Sequence, residues 1–278
     1  MPDYLEGKRP LIEALRTQVP LACILVADNL KRDSLVEDIL RKAKASQVPV
    51  KTVRRKELDD KSERGSHQGI MAQTLPFAYV NVQTILDAAE AHAQERGGAA
   101  LVVLLDHITD AGNLGAIARS AEVAGASGII IPNKRSAHVT AATYKSSAGA
   151  ISHLHVSQVA NISQSIERLK KAGFWVAGAS EHAQTGIWDA NLKGKIALVM
   201  GSEGEGLARL TQESCDFLMA LPQAGKIGSL NVAQAATACM YEWMRQNRQE
   251  TTGGLSGGAG GKKGSRNANS GKDSQGTL

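Results

Sequence analysis

Three glycine-rich segments at predicted strand-to-helix junctions hold most of the residues that could do chemistry. They are residues 106–115, 201–207 and 225–231. In open α/β sheets, ligands bind beyond the carboxyl ends of the strands, where such junctions lie. Glycines at these positions let a ligand approach the main chain closely. The three segments are therefore the candidate ligand-binding loops.

The residues of these loops argue against a ligand that carries phosphate. Residues 106–115 contain G-x-x-G but lack the G-x-G-x-x-G of dinucleotide-binding loops, and no segment has the G-x-x-x-x-G-K-[ST] of a P-loop. Glu203 and Glu205 lie inside the second loop, where their carboxylates would repel a phosphate. An adenosine with a cationic or zwitterionic remainder fits better, and S-adenosylmethionine has that character.

Other catalytic arrangements have weaker support. His153 and His155 alternate along a strand predicted at residues 154–156 and would share a face, but no cysteine or carboxylate lies close to them in sequence. We therefore predict no metal site. Ser202 is not part of a G-x-S-x-G nucleophile motif, so hydrolase chemistry is unsupported.

The elements that position the loops follow from the pattern of apolar residues. In residues 98–250, short apolar strands alternate with helices, which predicts an α/β fold with a parallel sheet covered on both faces. Residues 1–78 form a smaller α/β module, and residues 79–97 a linker and a helix. Residues 251–278 are rich in glycine and serine and carry four basic residues, which predicts a disordered basic tail.

Within the first module, apolar spacing predicts a helix over residues 6–16 and a buried strand over residues 21–27. A final strand is predicted over residues 69–73. The glycine-bounded loop at residues 65–69 comes just before it and is either a substrate contact or a simple turn.

The charge is uneven along the 278 residues. The net charge of +5 divides into +3 for residues 1–78, −1 for residues 79–250 and +3 for residues 251–278. This pattern suggests a polyanionic partner held by the ends and chemistry done in the middle. The longest apolar runs fall short of the ~18–20 residues of a membrane span. The polar N-terminus shows no secretion signal. Three widely separated cysteines suit buried thiols in a reducing cytoplasm, so a cytoplasmic protein is predicted.

Together, the three loops resemble the motifs of the SpoU (TrmH-type) family of RNA ribose 2′-O-methyltransferases. Asn113, Gly115 and Arg119 match the first motif, N-x-G-x-x-x-R, and residues 201–206 match the second, G-[SAT]-E-x-x-G. Residues 229–232 are the S-L-N-V of the third. Residues 5–15 resemble, more loosely, the start of the branch that methylates guanosine in 23S rRNA, and the front module resembles the small RNA-binding domain of many members.

The resemblance implies a fold and a cofactor. The methyltransferase domain should be a parallel sheet with a deep trefoil knot, preceded by a small L30e-like RNA-binding domain. S-adenosylmethionine should be the cofactor, with no metal, and the enzyme should be a homodimer with its last helix in the interface and the site completed across it. The implied cofactor-binding residues are Ala179, Gly201, Ser202, Leu221 and Leu230.

The resemblance also implies the catalytic residues. Arg119 would be the catalytic arginine. A free guanidinium stays protonated near neutral pH, so we expect Arg119 to bind the RNA phosphate beside the target ribose and to stabilise developing alkoxide charge, not to act as a base. Asn113, Glu203, Ser229 and Asn231 would orient Arg119, the loops and the hydroxyl group. Asn231 and Glu203 could instead serve only as helix and loop caps.

The expected activity is methylation of a ribose 2′-hydroxyl in RNA, with a guanosine of 23S rRNA as the expected target. The alternatives within this enzyme class are a tRNA methyltransferase and an rRNA methyltransferase that confers antibiotic resistance. The alternative from another class is an RNA-binding or ribosome-assembly protein without catalysis.

Overall fold

A computed structural model describes residues 4–62, 65–226 and 228–248 of the chain. The basic tail predicted for residues 251–278 lies outside these residues. Among the described helices, none is long and apolar enough to cross a membrane.

The described residues form helices and strands in alternation. The strands are β1 (Tyr4–Glu6), β2 (Leu21–Ala27), β3 (Val50–Val53), β4 (Ile70–Thr74), β5 (Ala100–Leu105), β6 (Gly128–Pro132), β7 (Val156–Val159), β8 (Trp175–Ala179), β9 (Lys195–Met200) and β10 (Phe217–Met219). The helices are α1 (Lys8–Arg16), α2 (Ser34–Ala45), α3 (Arg55–Lys61), α4 (Val82–Glu95), α5 (Ala111–Val123), α6 (Ala141–Ser146), α7 (Ile162–Lys171), α8 (Arg209–Ser214) and α9 (Val232–Gln246). A 3₁₀ turn, Ala150–His153, precedes β7.

Two predicted elements differ from the structure. The helix predicted over residues 6–16 begins at Lys8, because Gly7 has a φ of 92° and the residues before it form β1. The predicted strand at residues 154–156 begins only at Val156. His153 therefore belongs to the 3₁₀ turn, and the shared strand face expected for the two histidines is wrong.

The first sheet has four strands in the order β1-β4-β2-β3. Strand β4 is antiparallel to both β1 and β2, whereas β2 and β3 are parallel. Leu11 and Leu15 of α1 belong to the same buried cluster as Leu101 and Val103 of β5. The core therefore continues from the first module into the second sheet.

The second sheet has six strands in the order β10-β8-β9-β5-β6-β7, and all neighbouring pairs are parallel. Side chains alternate between the two faces of each strand. Leu101 and Val103 of β5 face a cluster with α5 and α9, and Val102 and Leu104 face a cluster with α4 and α7. The predicted α/β fold with a parallel sheet is confirmed.

Because the strands are parallel, the loops that follow them meet at one edge of the sheet. Helices α5 and α9, which begin at this edge, pack side by side, and the Ser120 and Thr237 hydroxyl oxygens lie 2.6 Å apart between them. Gly115 brings α5 close to α6, since a Cβ there would lie 1.9 Å from the Ser146 hydroxyl. The packing fixes where the first turns of α5 and α9 present their side chains.

Candidate active site

The loop after β9 is a tight, closed turn. The N–H groups of Ser202 and Gly206 each donate to the other residue's carbonyl oxygen at 3.0 Å. Gly201 admits no side chain, because a Cβ there would lie 2.1 Å from the Gly206 carbonyl carbon. Gly206 has a φ of 66°, which favours glycine. These constraints hold Glu203 at the tip of the loop.

Three polar side chains from distant parts of the sequence meet at this loop; we call them the Asn113–Glu203–Asn231 cluster. The Asn113 amide donates to Glu203 Oε1 at 3.0 Å, and the Asn231 amide donates to the same oxygen at 2.6 Å. The Asn231 amide also lies 3.0 Å from Asn113 Oδ1. Among the described residues, Glu203 Oε2 has no hydrogen-bond partner. One carboxylate oxygen thus remains available to a ligand.

Helix capping explains how the cluster is built. Asp110 Oδ1 accepts from the Asn113 N–H at 2.7 Å, which begins α5, and Asn231 Oδ1 accepts from the Ala233 N–H at 2.9 Å, which begins α9. Asn231 therefore caps its helix with its oxygen and binds Glu203 with its nitrogen. The capping role that the sequence left open for Asn231 is therefore confirmed, and the same side chain also contacts Glu203.

One cavity brings together all of the predicted cofactor-binding residues. Ala179, Gly201, Ser202, Leu221 and Leu230 line it, together with Ser229. The buried Met200 and Met219 add apolar surface, and Glu181, Glu203 and Glu205 add carboxylates.

These residues fit S-adenosylmethionine. The leucine and methionine side chains offer apolar surface to an adenosine, and Gly201 contributes backbone to the cavity wall. The carboxylates Glu181, Glu203 and Glu205 attract a cationic sulfonium and ammonium but would repel a phosphate-bearing cofactor.

Arg119 does not join the cluster within one chain. It lies six residues beyond Asn113 on α5, so its side chain leaves the helix about 240° further round. It is exposed and lines a separate cleft with Arg16, Thr17 and His153. Helical periodicity alone could have predicted this separation.

Two site residues were missed by the sequence. His107 and Arg135 line a cleft that shares Ser202, Glu203 and Glu205 with the cavity. His107 lay inside the first candidate segment, directly after the last residues of a strand, which was the available signal. Arg135 lay in a polar loop after β6 that had no motif.

Two of the three cysteines, Cys215 and Cys239, have thiols of low reactivity. Burial raises the pKa of Cys215 to about 12 and that of Cys239 to about 12, so both thiols stay protonated near neutral pH. No group of three or more metal-binding side chains occurs in the part of the chain that the structure describes.

Two family models match the chain. The SpoU rRNA methylase family matches residues 100–241, and the RNA 2′-O ribose methyltransferase substrate-binding domain matches residues 4–80. The first covers the second sheet with all three motif loops, and the second covers the first sheet.

Two proteins of similar sequence carry names from the same group of methyltransferases. An uncharacterized tRNA/rRNA methyltransferase of Synechocystis is 38% identical over 88% of this chain, which spans 62% of that protein's length. A protein of Bacillus subtilis that is assigned by its name to the TrmH family of tRNA/rRNA methyltransferases is 37% identical, over 88% of this chain and 96% of its own.

The SpoU methyltransferase AviRb of Streptomyces viridochromogenes, crystallised with its cofactor AdoMet, superposes with a TM-score of 0.65 and 25% identity. The superposition covers 88% of this chain and 90% of that one. The motif loops, the cavity and these matches lead to one conclusion: this chain belongs to the SpoU family of RNA methyltransferases, and its cofactor is S-adenosylmethionine.

Proposed function

We propose that this protein methylates the ribose 2′-hydroxyl of a guanosine in 23S rRNA, as a homodimer in the cytoplasm. The observation that carries the proposal is the Asn113–Glu203–Asn231 cluster, which stands between the cofactor cavity and a second cleft. A nucleotide in that cleft would have its ribose beside the cavity. A tRNA or an antibiotic-resistance site in rRNA is the alternative target, and the relatives' names include both tRNA and rRNA.

The residues of the cluster orient the reacting groups. S-adenosylmethionine, when bound, supplies an electrophilic methyl group on a cationic sulfur. The two asparagine amides hold Glu203 through Oε1, so its free Oε2 can accept a hydrogen bond from a ribose hydroxyl. Ser229 and Leu230 line the cavity directly before Asn231 and would place the cofactor relative to that hydroxyl. Fixed orientation of this kind supplies a large part of the rate enhancement in such transfers.

Arg119 would reach this site from a second copy of the chain. Within one chain it lines a different cleft, yet its guanidinium suits an RNA phosphate and developing alkoxide charge. Val123 on α5 and Tyr241 on α9 are exposed by 56% and 49% and give these helices an apolar face. We propose that two copies pair through this face and complete each other's sites.

RNA would first be held by the front module. Residues 1–78 carry a charge of +3, and residues 4–80 match a substrate-binding domain. We propose that this region is an L30e-like RNA-binding domain, that residues 98–250 form the methyltransferase domain, and that the basic tail adds weak RNA contacts. We also propose a trefoil knot, which is supported by the return of the chain from the edge strand β10 to α9, packed on α5 and β9.

The activity test is transfer of a labelled methyl group from S-adenosylmethionine to RNA purified from a strain that lacks this gene. We expect the wild type to label 23S rRNA, and mass spectrometry to place the methyl group on a guanosine ribose. Label on tRNA would support the alternative target. Binding of RNA without any transfer would support the non-catalytic alternative.

The role of Arg119 and the shared site are tested by mixing inactive copies. Arg119→Ala and Asn231→Asp should each abolish transfer, whereas co-expression should restore about a quarter of wild-type activity, because half of the dimers then hold one intact site out of two. Wild-type transfer by Arg119→Ala would contradict its role. Activity that stays absent in the mixture would contradict a site completed across the dimer.

A further inference from the structure

The cleft beside the cofactor cavity is formed by the loops that follow neighbouring strands β5 and β6. Ile108 and Arg135 belong to these two loops, and the Ser202–Glu205 turn forms the opposite wall. The N–H of Ala137 donates to the Ile108 carbonyl at 2.7 Å, and the Ser136 hydroxyl donates to the same oxygen at 3.2 Å. The two loops are thus tied into one wall.

Each of these loops holds a basic side chain on a strained residue. His107 has a φ of 61° and Arg135 a φ of 54°, in the left-handed region that non-glycine residues seldom adopt. Strain of this kind persists where the surroundings enforce it, and it concentrates at ligand-binding sites. Both residues belong to the two loops that are tied together at the Ile108 carbonyl, and both line the cleft.

Only one of the two ring nitrogens of His107 is hydrogen-bonded within the described residues. Its Nδ1 lies 2.6 Å from Oδ1 of the buried Asp106, whose Oδ2 accepts from the Ala208 N–H at 2.8 Å. In the tautomer in which Nδ1–H donates to the Asp106 carboxylate, Nε2 of the ring is an acceptor. Within the described residues, Nε2 has no partner.

The Arg135 guanidinium forms no ion pair with the residues that the structure describes. Asp110, Glu203 and Glu205 line the same cleft, yet the described residues give the Arg135 guanidinium no salt bridge or side-chain hydrogen bond. The cleft therefore offers both kinds of group, with His107 and Arg135 as basic side chains and Asp110, Glu203 and Glu205 as carboxylates, the last two on the Ser202–Glu205 turn. A nucleotide matches this division, because it has a phosphate at one end and hydroxyl and N–H donors at the other.

We propose that this cleft binds the acceptor nucleotide of the RNA, with Arg135 on a phosphate and His107 Nε2 accepting from an N–H of the base. The inference rests on the proposed function and names the residues that would place its substrate. Arg135 suits the phosphate because its guanidinium is permanently charged and offers paired donors. The Ser202–Glu205 turn, on which Glu203 Oε2 has no partner among the described residues, suits the 2′-hydroxyl.

Asparagine variants test the proposal without disturbing the loops, since asparagine tolerates the left-handed conformation. The variants are Arg135→Asn, His107→Asn and, as a control on the same loop, Lys134→Asn. Unmodified 23S rRNA and unmodified tRNA transcripts are each assayed for methyl transfer, and for filter binding between 50 and 200 mM salt, while S-adenosylmethionine affinity is measured by calorimetry.

We expect Arg135→Asn to raise the RNA KM about tenfold. It should also lower the slope of log affinity against log salt by about 0.7–0.9, which is the loss of one phosphate contact. His107→Asn should raise the RNA KM severalfold and leave that slope unchanged. Cofactor affinity should be as in the wild type for both variants, and Lys134→Asn should change neither KM nor slope.

The proposal is overturned if Arg135→Asn keeps the wild-type KM and salt slope, or if Lys134→Asn loses as much as Arg135→Asn. It is also overturned if either cleft variant weakens cofactor binding as much as RNA binding, because the effect would then be structural. Absence of methyl transfer by the wild type would contradict the proposed function instead, and the filter-binding slopes would still decide the role of Arg135.

Discussion

Beside each of the two sheets, a loop histidine is paired with an aspartate. In one pair the histidine is buried, and in the other pair the aspartate is buried. In the first sheet, the side chain of His67 is 4% exposed and that of its partner Asp59 is 56% exposed. In the second sheet, the side chain of His107 is 42% exposed and that of Asp106 is 1% exposed. One histidine is enclosed by its loop, and the other is held out by a buried carboxylate.

This difference agrees with a structural role for His67 and with the ligand-binding role that we propose for His107. Both ring nitrogens of His67 are used inside the protein, since Nε2 lies 2.9 Å from Asp59 and Nδ1 accepts from the Gly69 N–H at 3.0 Å. Residues 65–69 are therefore held as a turn, which favours the simpler of the two interpretations of this loop. His107 uses only one nitrogen and keeps the other toward a cleft.

The largest effect should come from breaking the cluster that only the second sheet possesses. Asn231→Asp keeps the helix cap, because aspartate caps helices as well as asparagine does. It removes the amide donor and sets a second carboxylate against Glu203, so kcat should fall about 100-fold or more. Methyl transfer to RNA measures this, and thermal melting checks that α9 still forms. Activity within twofold of the wild type would show that the cluster is merely a cap.

The next effect concerns the loop that bears Glu203. Gly201→Ala forces a Cβ against the Gly206 backbone, so the turn must shift, and S-adenosylmethionine affinity should fall about 30-fold, corresponding to ~2 kcal/mol of overpacking. Gly204→Ala is the matched control, because a Cβ there meets nothing within 4 Å. Calorimetric titration with the cofactor compares the two. Equal losses in both variants would remove the special role of Gly201.

Substitutions of His67 and His107 should also differ in their effect on the free energy of unfolding. His67→Ala leaves the Gly69 N–H without its acceptor, which should lower the free energy of unfolding by about 1–2 kcal/mol. His107→Asn should leave it nearly unchanged, since the asparagine amide nitrogen stands where Nδ1 stood and can still donate to the buried Asp106. Urea unfolding of both variants measures the difference. Equal destabilisation would mean that His107 also holds its loop together.

The smallest effect should be a change in stability at acid pH. It concerns two glutamate–arginine pairs, one on α9 and one on α1. The Arg245 guanidinium lowers the pKa of Glu242 on α9, and Arg16 does the same to the pKa of Glu13 on α1. A lowered carboxyl pKa stabilises the fold above its unfolded value of 4.5, and this contribution is lost as the pH falls through the folded value.

Glu242→Gln and Glu13→Gln should therefore each flatten the loss of stability below pH 4.5, by a few tenths of a kcal/mol. The effect should be larger for Glu242, whose side chain is 9% exposed against 30% for Glu13. Melting temperatures measured between pH 3 and pH 7 test this order. A larger effect at Glu13 would show that burial does not govern these pairs.

The sequence predicted most of the fold, because apolar periodicity records which face of each element is buried. It missed β1, which has three residues and too few positions to show an alternation. It also placed His153 on a strand, although the Gly149 φ of 89° begins a 3₁₀ turn there. Both failures concern short segments whose conformation depends on neighbours elsewhere in the chain.

The sequence by itself identified the loops, because glycine spacing is a local property, and their resemblance to the SpoU motifs singled out Asn113, Glu203 and Asn231 within them. Only the tertiary structure decided that these three side chains share hydrogen bonds while Arg119 lies in another cleft. It alone brought His107 and Arg135 to a common wall. Parallel strands carry distant segments to one edge, and the direction of each side chain there is set by helix phase and backbone φ, which no local pattern records.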